Sequence, residues 1–337
     1  MGERKHPNSQ IAEMAKDLGL HADADPYGAI LRYCEERVEE FYTPVGECES
    51  LLELLDAAAN YVGTVFLQVE SDEDLVAISR KYLDRNEKGF AILEYELSGE
   101  VFGITFKLQT PTEGELPFVS VIDSRGAKTA RAYFTKWHEV AHLLTLAGSK
   151  RSVFRRTHPS QGGLDPEERL MDAIAGKFGF FAGLTRRFIE REISFNEIER
   201  LRLLLCHEAS RQSALINLVK YWPTPCIHLR AEVGLTKAQK AWLDGRSIDA
   251  IERLPEPAVR VVRADPNEQA RSRGIYLYDG LRVPERSVVY RVFMRGSGYE
   301  EAVEDLSWWE RLPPRRVRVK AKAVAGSVEA LIIPLDY

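Results

Sequence analysis

The sequence predicts an α+β fold, and three observations carry that prediction. Apolar positions recur at helical spacing over residues ~8–20 and ~26–42, as with Ile30, Leu31, Tyr33, Val38 and Phe41. Short β-branched runs, such as Val65-Phe66-Leu67-Gln68-Val69 and Phe118–Ile122, read as strands between helical stretches. At the centre, Lys136–Leu144 carries His138, Glu139 and His142 in the order H-E-x-x-H within a helical pattern.

Each element follows from local signals. Thr43-Pro44-Val45-Gly46 breaks the opening helices, and Leu51 to Tyr61 then forms a helix that feeds the strand at 65–69. Ser71-Asp72-Glu73-Asp74 is a helix-start cluster, with its helix expected to run to about Asn86. Phe90–Leu97, Val101–Leu108 and Phe118–Ile122 read as strands, the first two joined as a hairpin by Ser98-Gly99-Glu100. The motif helix begins after the turn Asp123-Ser124-Arg125-Gly126 and is expected to end near Gly148. Phe134, Trp137, Ala141 and Leu144 form its buried stripe, with both histidines at the stripe's edge.

Histidines four apart on a helix lie one turn apart on one face, so both imidazoles can reach a single Zn²⁺. Glu139, beside the first histidine, is placed to take a proton from water at the metal. A hydrolytic site needs a third protein ligand and an open fourth position. The metzincin continuation is excluded, because its glycine and last histidine positions hold Thr145 and Gly148. Downstream, Asp165 and Pro166 read as N-cap and first residue of a new helix. Glu168 and Asp172 then share a face: Glu168 completes a two-histidine, one-carboxylate set, and Asp172 holds a ligand histidine through its other ring nitrogen. Two alternatives stand beside this: Glu168 closing a capping box with Asp165, and Glu167 serving as the ligand.

The stretch Phe134–Leu144 followed by Glu168-Arg169-Leu170-Met171-Asp172-Ala173-Ile174-Ala175 resembles the ImmA/IrrE-type metallopeptidases. The specific match spans residues ~118–180, with weaker similarity over ~50–220. The resemblance implies a thermolysin-like (zincin) core, zinc ligands at His138, His142 and Glu168, and Glu139 as catalytic base. It also implies a cytoplasmic helix-turn-helix repressor as the protein substrate. The chain departs from the family pattern at Phe178-Gly179-Phe180-Phe181, at Met171 and at Trp137, and the expected 90–108 hairpin reads as an insertion.

Beyond the motif, Ser194-Phe195-Asn196 starts a helix with Ile198, Leu201, Leu204 and Leu205 on one face, and a second helix covers about Ala209 to Tyr221. The pair has helix-turn-helix spacing, but its second helix offers few base-reading side chains, so a packed supporting pair is expected. Cys206-His207-Glu208 imitates the motif, but Arg211 stands where the second histidine belongs. After Trp222-Pro223-Thr224-Pro225 the chain changes character. Val259–Arg263, Ser287–Met294, Arg316–Val324 and Val328–Leu335 read as strands, and Ala302–Glu310 as a helix stopped by Pro313-Pro314. Arg315, Arg316, Arg318, Lys320 and Lys322 read as the charged guard of an exposed edge strand. The expected organisation is a helical segment (1–48), a metallopeptidase core (49–190), a helical pair (191–222) and an α+β accessory domain (223–337).

Composition sets the remaining expectations. Asp+Glu 51 against Lys+Arg 46 gives a net charge of -5, which argues against general nucleic-acid binding. Four cysteines without a C-x-x-C pair read as free thiols of a reducing compartment. The N-terminal twenty residues lack a signal-peptide core, position 6 (His6) does not suit myristoylation of Gly2, and no apolar run approaches a membrane span. A soluble cytoplasmic protein is expected. His158, Tyr133 and His228 are candidates for the donor that a tetrahedral oxyanion needs. A non-catalytic zinc-containing regulator acting through the helical pair and C-terminal domain is the alternative, though a structural zinc is normally closed by four ligands, often Cys, and no Cys lies near the motif.

Overall fold

A computed structural model describes residues 7–20, 24–42, 48–97, 101–146, 153–157, 165–244 and 256–335. It is a mixed α+β protein with two sheets and two compact units. The first unit comprises Met1–Ile189 and Glu199–Ala214; the second comprises Glu190–Ile198 and Leu215–Tyr337. No helix among the described residues is long and apolar enough to cross a membrane.

In the first unit, α1 (Pro7–Asp17), α2 (Pro26–Tyr42) and α3 (Leu51–Val62) precede the first strand. Ser50 caps α3 by accepting from Glu53 N, and Gly63 ends it with a left-handed φ of 74°. That conformation is cheap for glycine alone, and it turns the chain directly into β1 (Thr64–Val69). Ser71 and Asp74 form a reciprocal capping box at the start of α4 (Asp72–Leu83). Three further strands, β2 (Val101–Lys107), β3 (Phe118–Asp123) and β4 (Val153–Thr157), complete a sheet ordered β1-β3-β2-β4. β1 runs parallel to β3; the other neighbours are antiparallel.

The two faces of this sheet differ in chemistry. Ile104, Phe106, Val119 and Val121 pack with Leu75 and Tyr82 of α4 into one apolar cluster, joined by Phe90, Leu93 and Leu97. Those last three correct the expected strand at 90–97. Their spacing of three and four puts them on one side of a 3₁₀ turn (Lys88–Ile92) and the short α5 (Leu93–Glu96). β2 therefore pairs with β3 and β4 rather than in a hairpin with 90–97; Ser98–Glu100 lie outside the described residues.

The opposite face meets α6 (Ala132–Leu144), the motif helix, entered through a 3₁₀ turn over Gly126–Arg131. The turn is fixed by buried Asp123, which accepts from Arg125 and Lys128. α6 is not amphipathic as expected. Every residue of it except Phe134 is buried, because the sheet, α3 and α7 (Pro166–Phe178) all pack on it. Helix α6 ends at Leu144 with Thr145 as its C-cap; the expected end at Gly148 lies outside the described residues. Asp165 caps α7 by accepting from Glu167 N, with Pro166 in the first turn. After α7 come α8 (Ala182–Thr185), α9 (Phe195–Leu205) and α10 (Arg211–Lys220), the last two being the expected helical pair.

The second unit is built on an antiparallel sheet ordered β6-β5-β9-β8-β7. Its strands are β5 (Ile227–Gly234), β6 (Ala258–Pro266), β7 (Tyr299–Asp305), β8 (Arg316–Val324) and β9 (Ser327–Pro334). Helices α11 (Lys237–Asp244), α12 (Glu268–Ser272) and α13 (Val288–Arg295) fall between strands. One face, with Leu229, Val261, Val319 and Ile332, packs under Val288, Val289 and Val292 of α13.

Three expectations fail in this unit. Residues 287–294 are a helix, despite their β-branched content. Ser287 caps it, Gly296 closes it at φ 66°, and its valines share one buried side. Residues 302–310 are not a helix. They give the end of β7 and a 3₁₀ turn, because β7 pairs along its length with β8. That pairing also places β8 inside the sheet rather than at its edge. Two of its cations are partnered: Arg318 donates to Glu192 at 2.5 Å, and Lys320 Nζ donates to Ile193 O at 2.8 Å.

Candidate metal centre

α6 presents His138 and His142 on the side that faces α7, and α7 answers with Glu168. His138 Nε2 and His142 Nε2 are 3.2 Å apart. Glu168 Oε2 lies 3.2 Å from His138 Nε2, and its Oε1 lies 3.4 Å from His142 Nε2. Four-coordinate Zn²⁺ with ligands at about 2.0–2.1 Å needs neighbouring donors about 3.3–3.4 Å apart, and each of these three contacts is close to that, the carboxylate meeting the two imidazoles through different oxygens. Among the described residues these three form a group whose ligand atoms all lie within 4.8 Å of one another.

The chemistry of the set points the same way. Asp172 Oδ1 is 2.9 Å from His138 Nδ1, so in the neutral imidazole the proton sits on Nδ1 and the Nε2 lone pair faces the triangle. Glu168, in its ionised form, brings only acceptor oxygens to the same point. Three electron-pair donors converging on one spot are what a bound cation satisfies. The residues present therefore fit a metal ion. The histidines are buried, whereas the Glu168 and Asp172 side chains are 22% and 35% exposed, so the centre opens on the α7 side.

The two alternatives for this helix separate by position. The Glu168 carboxylate is turned onto the imidazoles, and Asp165 caps α7 through Glu167 N. Glu167 is buried, with Oε1 3.9 Å from His142 Nδ1, the ring nitrogen that points away from the triangle. At that distance it makes no hydrogen bond to His142 like the one Asp172 makes to His138.

Glu139 follows His138 on α6 and is fully buried. Its Oε2 accepts from Thr105 Oγ1 on β2 at 2.7 Å, while Oε1 has no hydrogen-bond partner among the described residues. Thr105 carries no motif and was not legible in sequence; only its place on the strand facing α6 reveals it. Of the expected oxyanion donors, Tyr133 is committed elsewhere. Its buried hydroxyl donates to Gly179 O at 2.6 Å and accepts from Trp137 Nε1 at 3.0 Å. His228 belongs to the second unit, where its Nε2 meets Glu329. His158 lies outside the described residues. His207 is exposed, and Glu208 pairs with Lys136 at 3.0 Å.

The four cysteines are free and buried. Burial pushes the thiols of Cys34, Cys206 and Cys226 up to about 12, which suits inert core residues rather than metal-binding thiolates. Comparison of the chain with protein-family models and with curated proteins found no match.

Proposed function

We propose that the chain is a zinc-dependent endopeptidase with a zincin-like core, hydrolysing peptide bonds of a regulatory protein. The observation that carries the reading is the pairing of two features on α6: a three-donor metal triangle, and beside its first ligand a buried carboxylate with one oxygen anchored and the other unpartnered. A structural zinc is normally closed by four protein ligands, often Cys, whereas the group among the described residues is the two-histidine, one-carboxylate set of a hydrolytic site.

His138, His142 and Glu168 would hold the ion, which when bound supplies a water of lowered pKa and polarises the scissile carbonyl. Asp172 keeps His138 in the tautomer that directs Nε2 at the metal. Glu139 takes a proton from the attacking water as its oxygen adds to the carbonyl carbon. It returns that proton to the amine as the C–N bond breaks. The resemblance to the ImmA/IrrE-type enzymes adds the substrate class, a helix-turn-helix repressor.

The test is co-expression with candidate repressors, with products read by gel and intact mass, and with Glu139→Gln run beside the parent. Glu139→Gln should keep its zinc and lose cleavage by about 10²–10⁴-fold. Equal cleavage by both proteins sinks the mechanism. A metal-loaded parent that cleaves none of them favours a binding protein instead.

A further inference from the structure

The hydroxyls behind Glu139 form a chain with a direction. Thr105 Oγ1 lies 2.7 Å from Glu139 Oε2 and 2.7 Å from Ser120 Oγ, which in turn lies 2.9 Å from Thr64 Oγ1. The three residues come from β2, β3 and β1, and all are buried. A hydroxyl has one proton to give, and an ionised carboxylate can only accept. Thr105 therefore spends its proton on Glu139, accepts from Ser120, and Ser120 accepts from Thr64. All three dipoles point at the carboxylate, and in a low-dielectric interior such bonds reinforce one another.

Gly103 treats the other oxygen differently. It lies on the same strand face as Thr105, opposite Ile122, with Thr105 opposite Ser120. A Cβ at Gly103 would stand 3.0 Å from Glu139 Oε1 and 2.7 Å from Thr135 Cγ2. β2 thus grips Oε2 through Thr105 and leaves Oε1 unencumbered through Gly103. Packing alone does not ask for this. The far face of the same strands is filled by Ile104, Phe106, Val119 and Val121, and apolar residues at 105 and 120 would avoid burying hydroxyls that need partners.

Resting on the peptidase reading, we propose that Thr105 is a positioning residue for the general base. Its hydroxyl, backed by Ser120 and Thr64, fixes the Glu139 carboxylate by Oε2, so that Oε1 is the oxygen that exchanges the proton. Gly103 keeps room for that oxygen.

The experiment compares the full-length parent with Thr105→Val, which keeps the shape and removes the hydroxyl, and Thr105→Ser, which restores it. Each is labelled with ¹³C-glutamate, and the Glu139 carboxylate resonance is identified as the one missing from Glu139→Gln. The expected result is a resonance displaced in Thr105→Val and returned in Thr105→Ser, with zinc content and thermal midpoint close to the parent's. On a repressor that the parent cleaves, Thr105→Val should lower kcat about ten- to a hundredfold at unchanged KM, the scale of losing a hydrogen bond to a charged acceptor. Thr105→Ser should recover most of it. Should Thr105→Val fail to fold, Ser120→Ala takes its place, with a smaller displacement expected. A resonance that does not move, an unchanged kcat, or a Thr105→Ser as impaired as Thr105→Val overturns the proposal. If the parent cleaves nothing, the general-base role falls with the peptidase reading. The resonance then still tells whether Thr105 grips Glu139, so the two failures are distinguishable.

Discussion

Asp172 and Glu167 both sit on α7 and both approach the Nδ1 atom of a histidine, but at different distances, 2.9 Å for Asp172 and 3.9 Å for Glu167. The closer contact fixes a tautomer; the longer one does not reach hydrogen-bond distance. Asp172→Ala should therefore weaken zinc binding about 10–100-fold, as read by competition with a chelator of known affinity. Unchanged affinity would show that His138 is oriented by packing alone. Glu168→Ala should remove most of the zinc, whereas Glu167→Ala should keep one ion per chain; the reverse pattern would move the ligand by one residue. Asp165→Ala tests the cap separately, and should cost about 1 kcal/mol of stability with zinc retained. Each result is read by elemental analysis beside a denaturation curve.

At the scale of elements, the sheet and α6 decide whether Glu139 can work. Gly103→Ala would press a methyl group on Thr135 and on Glu139 Oε1. A loss of about 1–3 kcal/mol is expected for such overpacking, and cleavage should fall while zinc binding persists. Normal cleavage by Gly103→Ala would show that β2 gives way at no cost. The same elements show what the sequence could and could not reveal. The helix over 51–61, the strand over 65–69 and the helix start at Ser71–Asp74 were legible, because caps and short periodic runs are local signals. The grouping of His138, His142 and Glu168 was legible because residues four apart on a helix share one face. Residues 90–97 and 287–294 read as strands because their aromatic and β-branched content matches both periods, and tertiary packing chose the helix. Thr105 and Gly103 were invisible, since their role exists only once β2 and α6 are brought together. β5 was missed because His228 and Arg230 interrupt its apolar pattern, and both are accommodated by partners on neighbouring strands or on their own.

At the scale of the whole molecule, the two units carry different chemistry, and the second has its own pH sensitivity. His228 is buried beside Glu329 of β9 and Asp265 of β6. Burial alone would lower its pKa; the two carboxylates outweigh that and raise it. Burial would likewise raise Asp265, and His228 and Arg263 lower it. A raised histidine pKa stabilises the fold fully below the unfolded value of about 6.5, and that stability is lost as pH rises through the folded value. The lowered Asp265 acts in the opposite sense, with stability present above about 3.9 and lost as pH falls through its folded value. Denaturation of the full chain between pH 5 and 9 (on the order of one unit per step) should show stability falling on the alkaline side, and His228→Gln should flatten that limb. An alkaline limb unchanged in His228→Gln would assign it to other groups. The claim on which the functional reading turns is a metal ion held by α6 and α7, and anomalous diffraction at the zinc edge from crystals of the purified protein tests it most directly. The expected result is one peak within about 2.0–2.2 Å of His138 Nε2, His142 Nε2 and a Glu168 oxygen. A zinc peak bound elsewhere, or these three side chains without one in protein crystallised with excess zinc, would contradict it.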